Sequence, residues 1–148
     1  MIANCRMVQF KRIGKELGAL TAIEGAMDIP FEIRRVYYIT GVPAETTRGF
    51  HSHNNLEQIL LCLNGEIKIR IKTPYEEEVI QLKENSEGLY IGHMVWREMY
   101  DFTPGAVLMV LASEHYNESD YIREYSLYQA EAKRFFDRGK ISNEHTVC

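Results

Sequence analysis

Two histidines stand one residue apart in RGFHSHNNLEQ, residues 48–58. Imidazole is the side chain whose ordinary pKa lies nearest neutrality, and it is also a common metal ligand. On a strand, residues i and i+2 share a face, so His51 and His53 present their rings to the same side. Three readings are open to such a pair: part of a metal site, an acid/base couple that moves a proton, or two histidines satisfied by hydrogen bonds inside a sheet. Two on one face beside Arg48 are costly to place without a use, which favours function.

A strand must carry the pair, and the surrounding sequence is written for strands. FEIRRVYYIT is rich in β-branched and aromatic residues, LEQILLCL is a short apolar run, and EIKIRIK alternates apolar with charged residues. Asn64-Gly65 between the last two is a strong hairpin signal. Ile67, Ile69 and Ile71 then face a core, and Lys68, Arg70 and Lys72 face water. EEVIQL, GLYIG, VWREMYDF and AVLMVLAS follow, each bounded by turn residues. Many short strands at close spacing predict an all-β fold, an antiparallel sandwich or barrel over about 6–113. Helix is expected only late, over about 117–139. Asn117 and Ser119 are its cap residues, Tyr121, Tyr125 and Tyr128 a stripe packed on the barrel, and Gly139 its end. ISNEHTVC reads as a loose tail.

The 148 residues suit one domain, 1–148, able to bury roughly 70% of its unfolded surface. A net charge of −4 without a basic run gives no footprint for nucleic acid. Cys5, Cys62 and Cys148 form neither a disulfide framework nor a metal pattern, which predicts a reducing, cytoplasmic setting. The N-terminus lacks the apolar core of a signal peptide, and no apolar run is long enough to span a membrane.

The histidine pair also resembles the first signature of the cupin superfamily: H-x-H, three or four residues, Glu, six residues, Gly. Here four residues follow His53, position 58 comes next, and six more lead to Gly65. The spacing fits, but position 58 is Gln. Glu57 is one residue early and points to the other face. Where a second cupin signature ends in histidine, this chain has Arg97, which cannot donate a lone pair to a metal. The expectation is a site without metal or other cofactor.

RRVYYI, RGFHSHNNLEQILLCLNG, GLYIGHMVWREMYDF and VLMVLASEHYNESDYIREY together resemble the dTDP-4-keto-6-deoxyglucose 3,4-ketoisomerases, small cupins of bacterial deoxysugar pathways. The resemblance runs from about Val8 to Tyr125. It implies a cupin-type jelly-roll barrel and a homodimer that exchanges N-terminal strands. It also implies a dTDP-linked keto sugar as substrate, with His51 as principal base and His53 as supporting acid/base. Arg35, Tyr37, Arg48, Gln58, Trp96 and Arg97 are the substrate contacts it suggests. The chemistry agrees: a proton must leave C-3 and one must return to C-4, and the charge that develops on oxygen needs fixed donors. Tyr37 shares a strand face with Arg35, while Tyr38 points the other way; which face is inward stays open.

Two departures bear on the product. Many ketoisomerases have histidine where this chain has Arg97, and arginine where it has Leu17. Both changes fall where the resemblance places the sugar, and they lean the expectation towards the gluco product, dTDP-3-keto-6-deoxyglucose. Three other readings remain: a 3,5-epimerase-like activity on the same sugar nucleotide, a metal-dependent cupin oxygenase, and a non-catalytic sugar-binding cupin.

Overall fold

The computed structural model describes residues 1–85 and 87–145. In chain order the strands are β1 (Cys5–Gln9), β2 (Arg12–Ile13), β3 (Leu20–Thr21), β4 (Arg35–Ile39), β5 (Arg48–His53) and β6 (Gln58–Asn64). They continue with β7 (Glu66–Lys72), β8 (Glu77–Lys83), β9 (Glu87–Ile91), β10 (Trp96–Tyr100), β11 (Val107–Ala112) and β12 (Tyr121–Ile122), before a helix, α1 (Tyr125–His145). One antiparallel sheet runs β1-β9-β6-β11-β4 and a second runs β12-β5-β10-β7-β8. The two close over a shared core, the cupin-type β-barrel.

Each strand's pattern reports how many of its faces are covered. In β7 the three isoleucines have no exposed surface, and burying each stabilises by about 2 kcal/mol. The alternate cations are held outside, with Lys68 3.0 Å from Asp101 and Arg70 3.1 Å from both Glu77 and Glu98. β6 does not alternate because both its faces are covered. Leu60 and Cys62 point into the barrel, while Ile59 and Leu61 meet Phe10, Ile29, Phe31 and Leu111 outside it. Asn64-Gly65 turns the chain but does not make the expected hairpin: Gly65, at φ +74°, stands alone between β6 and β7, and these two strands cross from one sheet to the other instead of pairing.

The C-terminal segment departs from the expected single helix. Asn117 caps one 3-10 turn, Glu118–Asp120, by accepting from the Ser119 N–H at 3.1 Å. Tyr121 and Ile122 then pair with His53 and Ser52 as a strand. Tyr121 therefore belongs to the sheet rather than to a tyrosine stripe. Here strand pairing at an open edge and the burial of Ile122 outweigh helical spacing. α1 starts at Tyr125 and continues through Gly139 to His145, 21 residues in all. An interior glycine costs a helix only about 1 kcal/mol, too little to stop one flanked by good helix formers. Residues 141–145, read as loose tail, are thus helical, and residues 146–148, Cys148 among them, lie outside the described residues. Tyr128 anchors α1: its side chain is fully buried, and its hydroxyl lies 2.8 Å from the Lys72 carbonyl and 3.0 Å from that of Met94.

At the N-terminus, β1 pairs with β9 of the same chain. β2 and β3 pair only with each other, and Ile13, Leu17 and Leu20 on this hairpin are exposed.

A bulge in β5 decides which side chains meet. His51 pairs with Arg97 and Gly49 with Glu98, so Phe50 is an extra residue between them. Gly49 and Phe50 both take positive φ, +95° and +55°. Without the bulge, Arg48 and His51, three residues apart, would point to opposite faces; the extra residue brings them to the same one. A Cβ at Gly49 would lie 2.9 Å from the Arg97 carbonyl oxygen. Gly49→Ala is therefore expected to cost about 2 kcal/mol in urea unfolding, from the positive φ and the clash together. Its catalytic activity should fall further than that stability loss explains, because His51 is re-aimed. Wild-type activity at wild-type stability would refute the role given to the bulge.

Candidate active site

Register alone places the functional face. Arg48, His51 and His53 on β5 share the barrel-facing side with Arg97 and Met99 on β10. From the other sheet, Tyr37 and Ile39 pack on the inner core, and Arg35 alternates in step with them on β4. That settles the face left open by sequence: Tyr37 is inward, and Tyr38 is outward and exposed. A cavity of about 380 Å³ is lined by Arg35, Tyr37, Arg48, His51, Met99 and Tyr121. A second, of about 550 Å³, is lined by Arg35, His53, Asn117, Asp120 and Tyr121 among others. Arg35 and Tyr121 border both, and the two histidines open one to each.

The rings of His51 and His53 lie 4.9 Å apart, nearly perpendicular. Tyr121, brought in by β12, stacks 4.2 Å from His53 and 5.0 Å from His51. Asp120 closes the other side. Its carboxylate accepts the backbone N–H groups of Asn55 at 2.9 Å and Leu56 at 3.2 Å, and its carbonyl accepts that of Asn54 at 3.1 Å. Asp120 Oδ2 is 3.4 Å from His53 Nδ1, near enough for charge to be felt but out of line for a hydrogen bond. Asp120 thus pins the loop that leaves β5 and so fixes His53. Sequence reasoning missed Asp120 and Tyr121 as site residues because NESDYIREY was read as helix. The SDYIREY ending, part of the resemblance, was the signal that held them.

Arg97 lies behind the histidines with 1% of its surface exposed. Its Nε and Nη2 donate to the Val95 carbonyl at 3.2 and 3.0 Å, and its Nη1 donates to Gln58 Oε1 at 2.5 Å. Gln58 passes the contact on, its Nε2 donating to the Tyr37 hydroxyl at 3.0 Å. Arg97 and Gln58, expected to touch substrate, instead hold each other beneath the cavity wall. Trp96 also differs from expectation. It is on the opposite face of β10, buried under α1 against Tyr125 and Tyr128, with Nε1 donating to Glu98 at 3.0 Å. Leu17 is fully exposed on the β2–β3 hairpin, away from this chain's own cavity.

The electrostatics follow from burial beside a permanent cation. Desolvation, and then the Arg97 charge, push the His51 pKa down to about 3. The same two causes lower that of His53, with His51 adding to them. Both imidazoles are therefore held neutral at neutral pH. Among the described residues, no three His, Cys, Asp or Glu side chains converge as a metal site. Glu57, the acid nearest the cupin position, points outward, where it accepts from the Tyr90 hydroxyl at 2.6 Å. The arrangement can take a proton from a carbon acid and place the resulting negative charge close to Arg97.

Comparison with known proteins agrees with this geometry. Residues 3–133 match the family model FdtA, described as WxcM-like, C-terminal. A TDP-4-oxo-6-deoxy-alpha-D-glucose-3,4-oxoisomerase from Aneurinibacillus thermoaerophilus is 45% identical over 124 residues, covering 84% of this chain and 89% of that protein. The crystal structure of the H51N mutant of the 3,4-ketoisomerase QdtA from Thermoanaerobacterium thermosaccharolyticum, in complex with TDP-4-keto-6-deoxyglucose, superposes with a TM-score of 0.89. It is 57% identical and covers 90% of this chain and 97% of its own. The WlaRB TDP-quinovose 3,4-ketoisomerase from Campylobacter jejuni is 41% identical, with a TM-score of 0.84 over 87% of this chain and 99% of that one. Sequence, fold and histidine pair lead to one conclusion: the chain belongs to the FdtA family of cupin-type sugar 3,4-ketoisomerases.

Proposed function

We propose that this protein converts TDP-4-keto-6-deoxyglucose to the 3-keto isomer, with His51 as the base. The observation that carries the reading is the pair of imidazoles on one face of β5, 4.9 Å apart, beside the buried Arg97 cation. In the first step His51 removes the proton from C-3, which the C-4 ketone acidifies. The C–H electrons form a C-3/C-4 double bond, and O-4 takes the negative charge. The O-3 hydroxyl then gives up its proton and O-4 takes one, so the negative charge passes to O-3. The C-3/C-4 double-bond electrons take a proton at C-4 from a protonated histidine, and the ketone ends at C-3 with a hydroxyl at C-4. His53 is the supporting acid/base for that return. Tyr37 is the donor for the oxyanion, and Arg35 and Arg48 suit the diphosphate.

The product is assigned the gluco configuration. Support comes from Arg97, where many ketoisomerases have histidine. It also comes from the likeness to the C. jejuni enzyme named for quinovose, which is 6-deoxyglucose. Arg97 is a fixed donor that does not trade protons, so it sets how Tyr37 and the ring lie while leaving protonation to the histidines.

Proton NMR of the wild-type reaction tests activity and product together. In D₂O the ketone should move to C-3 with deuterium at C-4. In H₂O a large H-4/H-5 coupling should mark the equatorial C-4 hydroxyl. His51→Asn should abolish both events while the fold is kept. Inversion at C-3 or C-5 with the ketone still at C-4 would make the enzyme an epimerase. A small coupling would assign the galacto product instead.

A homodimer completes the reading. β4 is the edge of its sheet, with Val36 and Tyr38 exposed, and the β2–β3 hairpin carries three unpartnered apolar side chains. An exchanged hairpin would cover such an edge and bring Leu17 to the neighbouring subunit. Light scattering should give twice the 17.2 kDa chain mass. Leu17→Asp together with Leu20→Asp should shift the population towards monomer. A wild-type monomer at micromolar concentration would contradict this.

A further inference from the structure

Gln58 stands where the cupin signature has an acid, and the proposed reaction assigns it no step. It is 2% exposed, and both ends of its amide are engaged. The direction of those two contacts is not free. Arg97 has only donors, so the atom facing it at 2.5 Å must be the amide oxygen. The amide nitrogen is then the atom facing Tyr37, and it has only protons to offer. The Tyr37 hydroxyl must accept at that contact, and its own O–H is left to point elsewhere. Among the described residues no acceptor takes that proton, and Tyr37 borders the cavity that His51 also lines.

We propose that Gln58 is a positioning residue whose amide, oriented by Arg97, turns the Tyr37 O–H outward as a donor to the oxyanion of the substrate. The relay runs one way, from Arg97 Nη1–H to Gln58 Oε1, and from Gln58 Nε2–H to Tyr37 Oη. A glutamate at position 58 would keep the size and the Arg97 contact but reverse the second link. A carboxylate can only accept, so the tyrosine would turn its proton inward and present a lone pair to the cavity. The proton donor of the cavity wall would then become an acceptor facing an oxyanion. On this account glutamine replaces the cupin acid because a donor-tuned tyrosine is needed where metal-binding cupins need a ligand.

The inference rests on the ketoisomerase reading for its catalytic consequence but not for its geometry, and the test separates the two. In the resting protein, ¹³Cζ-labelled tyrosine gives a signal for Tyr37 that is identified by its loss in Tyr37→Phe. Gln58→Glu should raise the pKa of that tyrosine by more than about one unit, since its anion would then face a carboxylate. An unchanged or lower value overturns the relay whatever the substrate is. With TDP-4-keto-6-deoxyglucose, Gln58→Glu should lower kcat on the order of 100-fold, as the loss of one oxyanion donor does elsewhere, while KM stays within about threefold. The double variant Gln58→Glu/Tyr37→Phe should be no slower than Tyr37→Phe alone. Losses that multiply, or a Gln58→Glu enzyme within about twofold of wild-type kcat, would overturn the proposal. A wild-type protein that leaves the sugar unchanged would sink the ketoisomerase reading and leave the tyrosine titration to decide the relay.

Discussion

Arg97 is a guanidinium buried inside a barrel with no carboxylate paired to it among the described residues. Its hydrogen bonds go to a backbone carbonyl and an amide oxygen, both neutral. Removing a cation from water in this way costs several kcal/mol, which neutral acceptors offset only in part. The rest must come from the barrel, whose strands bury isoleucine and leucine on both sides of the site. The chain thus keeps a positive charge where folding alone would prefer an apolar side chain.

That charge organises what surrounds it. Together with burial, the larger cause, it disfavours protonation of His51 and His53, so both rings stay unprotonated under conditions where a free imidazole would be partly protonated. It orients Gln58 and, through it, Tyr37. It also lies behind the cavity in which an enediolate would carry its negative charge. Asp120 works in the opposite sense, holding a carboxylate beside His53 while its backbone contacts fix the loop that follows β5. The two histidines therefore differ in surroundings although they share a strand, which suits a base and a proton-returning partner with separate duties.

Much of this could be read from the sequence. The alternation of EIKIRIK gave a half-buried strand, Asn64-Gly65 a turn (though one that joins two sheets and not a hairpin), and the i, i+2 spacing of the histidines a shared face. Each of these is a local rule with a local cause. What escaped depended on contacts far apart in the chain. The bulge at Gly49-Phe50 has a glycine as its only sequence trace, yet it decides that Arg48 joins His51. Tyr121 sits at helical spacing with Tyr125 and Tyr128, but β5 offered it an open edge, and the edge won. Trp96 and Arg97 are adjacent in sequence and lie on opposite faces of β10, so a resemblance that covers both could not say which one faced the cavity. Whether Gln58 and Arg97 touch the ligand or each other is a question of depth, on which periodicity is silent.

The central claim is that burial, reinforced by the charge of Arg97, holds the histidine pair neutral. ¹⁵N NMR of the imidazole nitrogens across a pH series measures this directly, in the wild type and in Arg97→Met. The wild-type His51 signals should stay those of a neutral ring from pH 8 to pH 5, in keeping with a pKa near 3. In Arg97→Met the His51 titration should move up but stay below the ordinary value of about 6.5, because the ring remains buried. The account is contradicted if wild-type His51 titrates near that ordinary value, or if removing the Arg97 charge leaves its titration where it was.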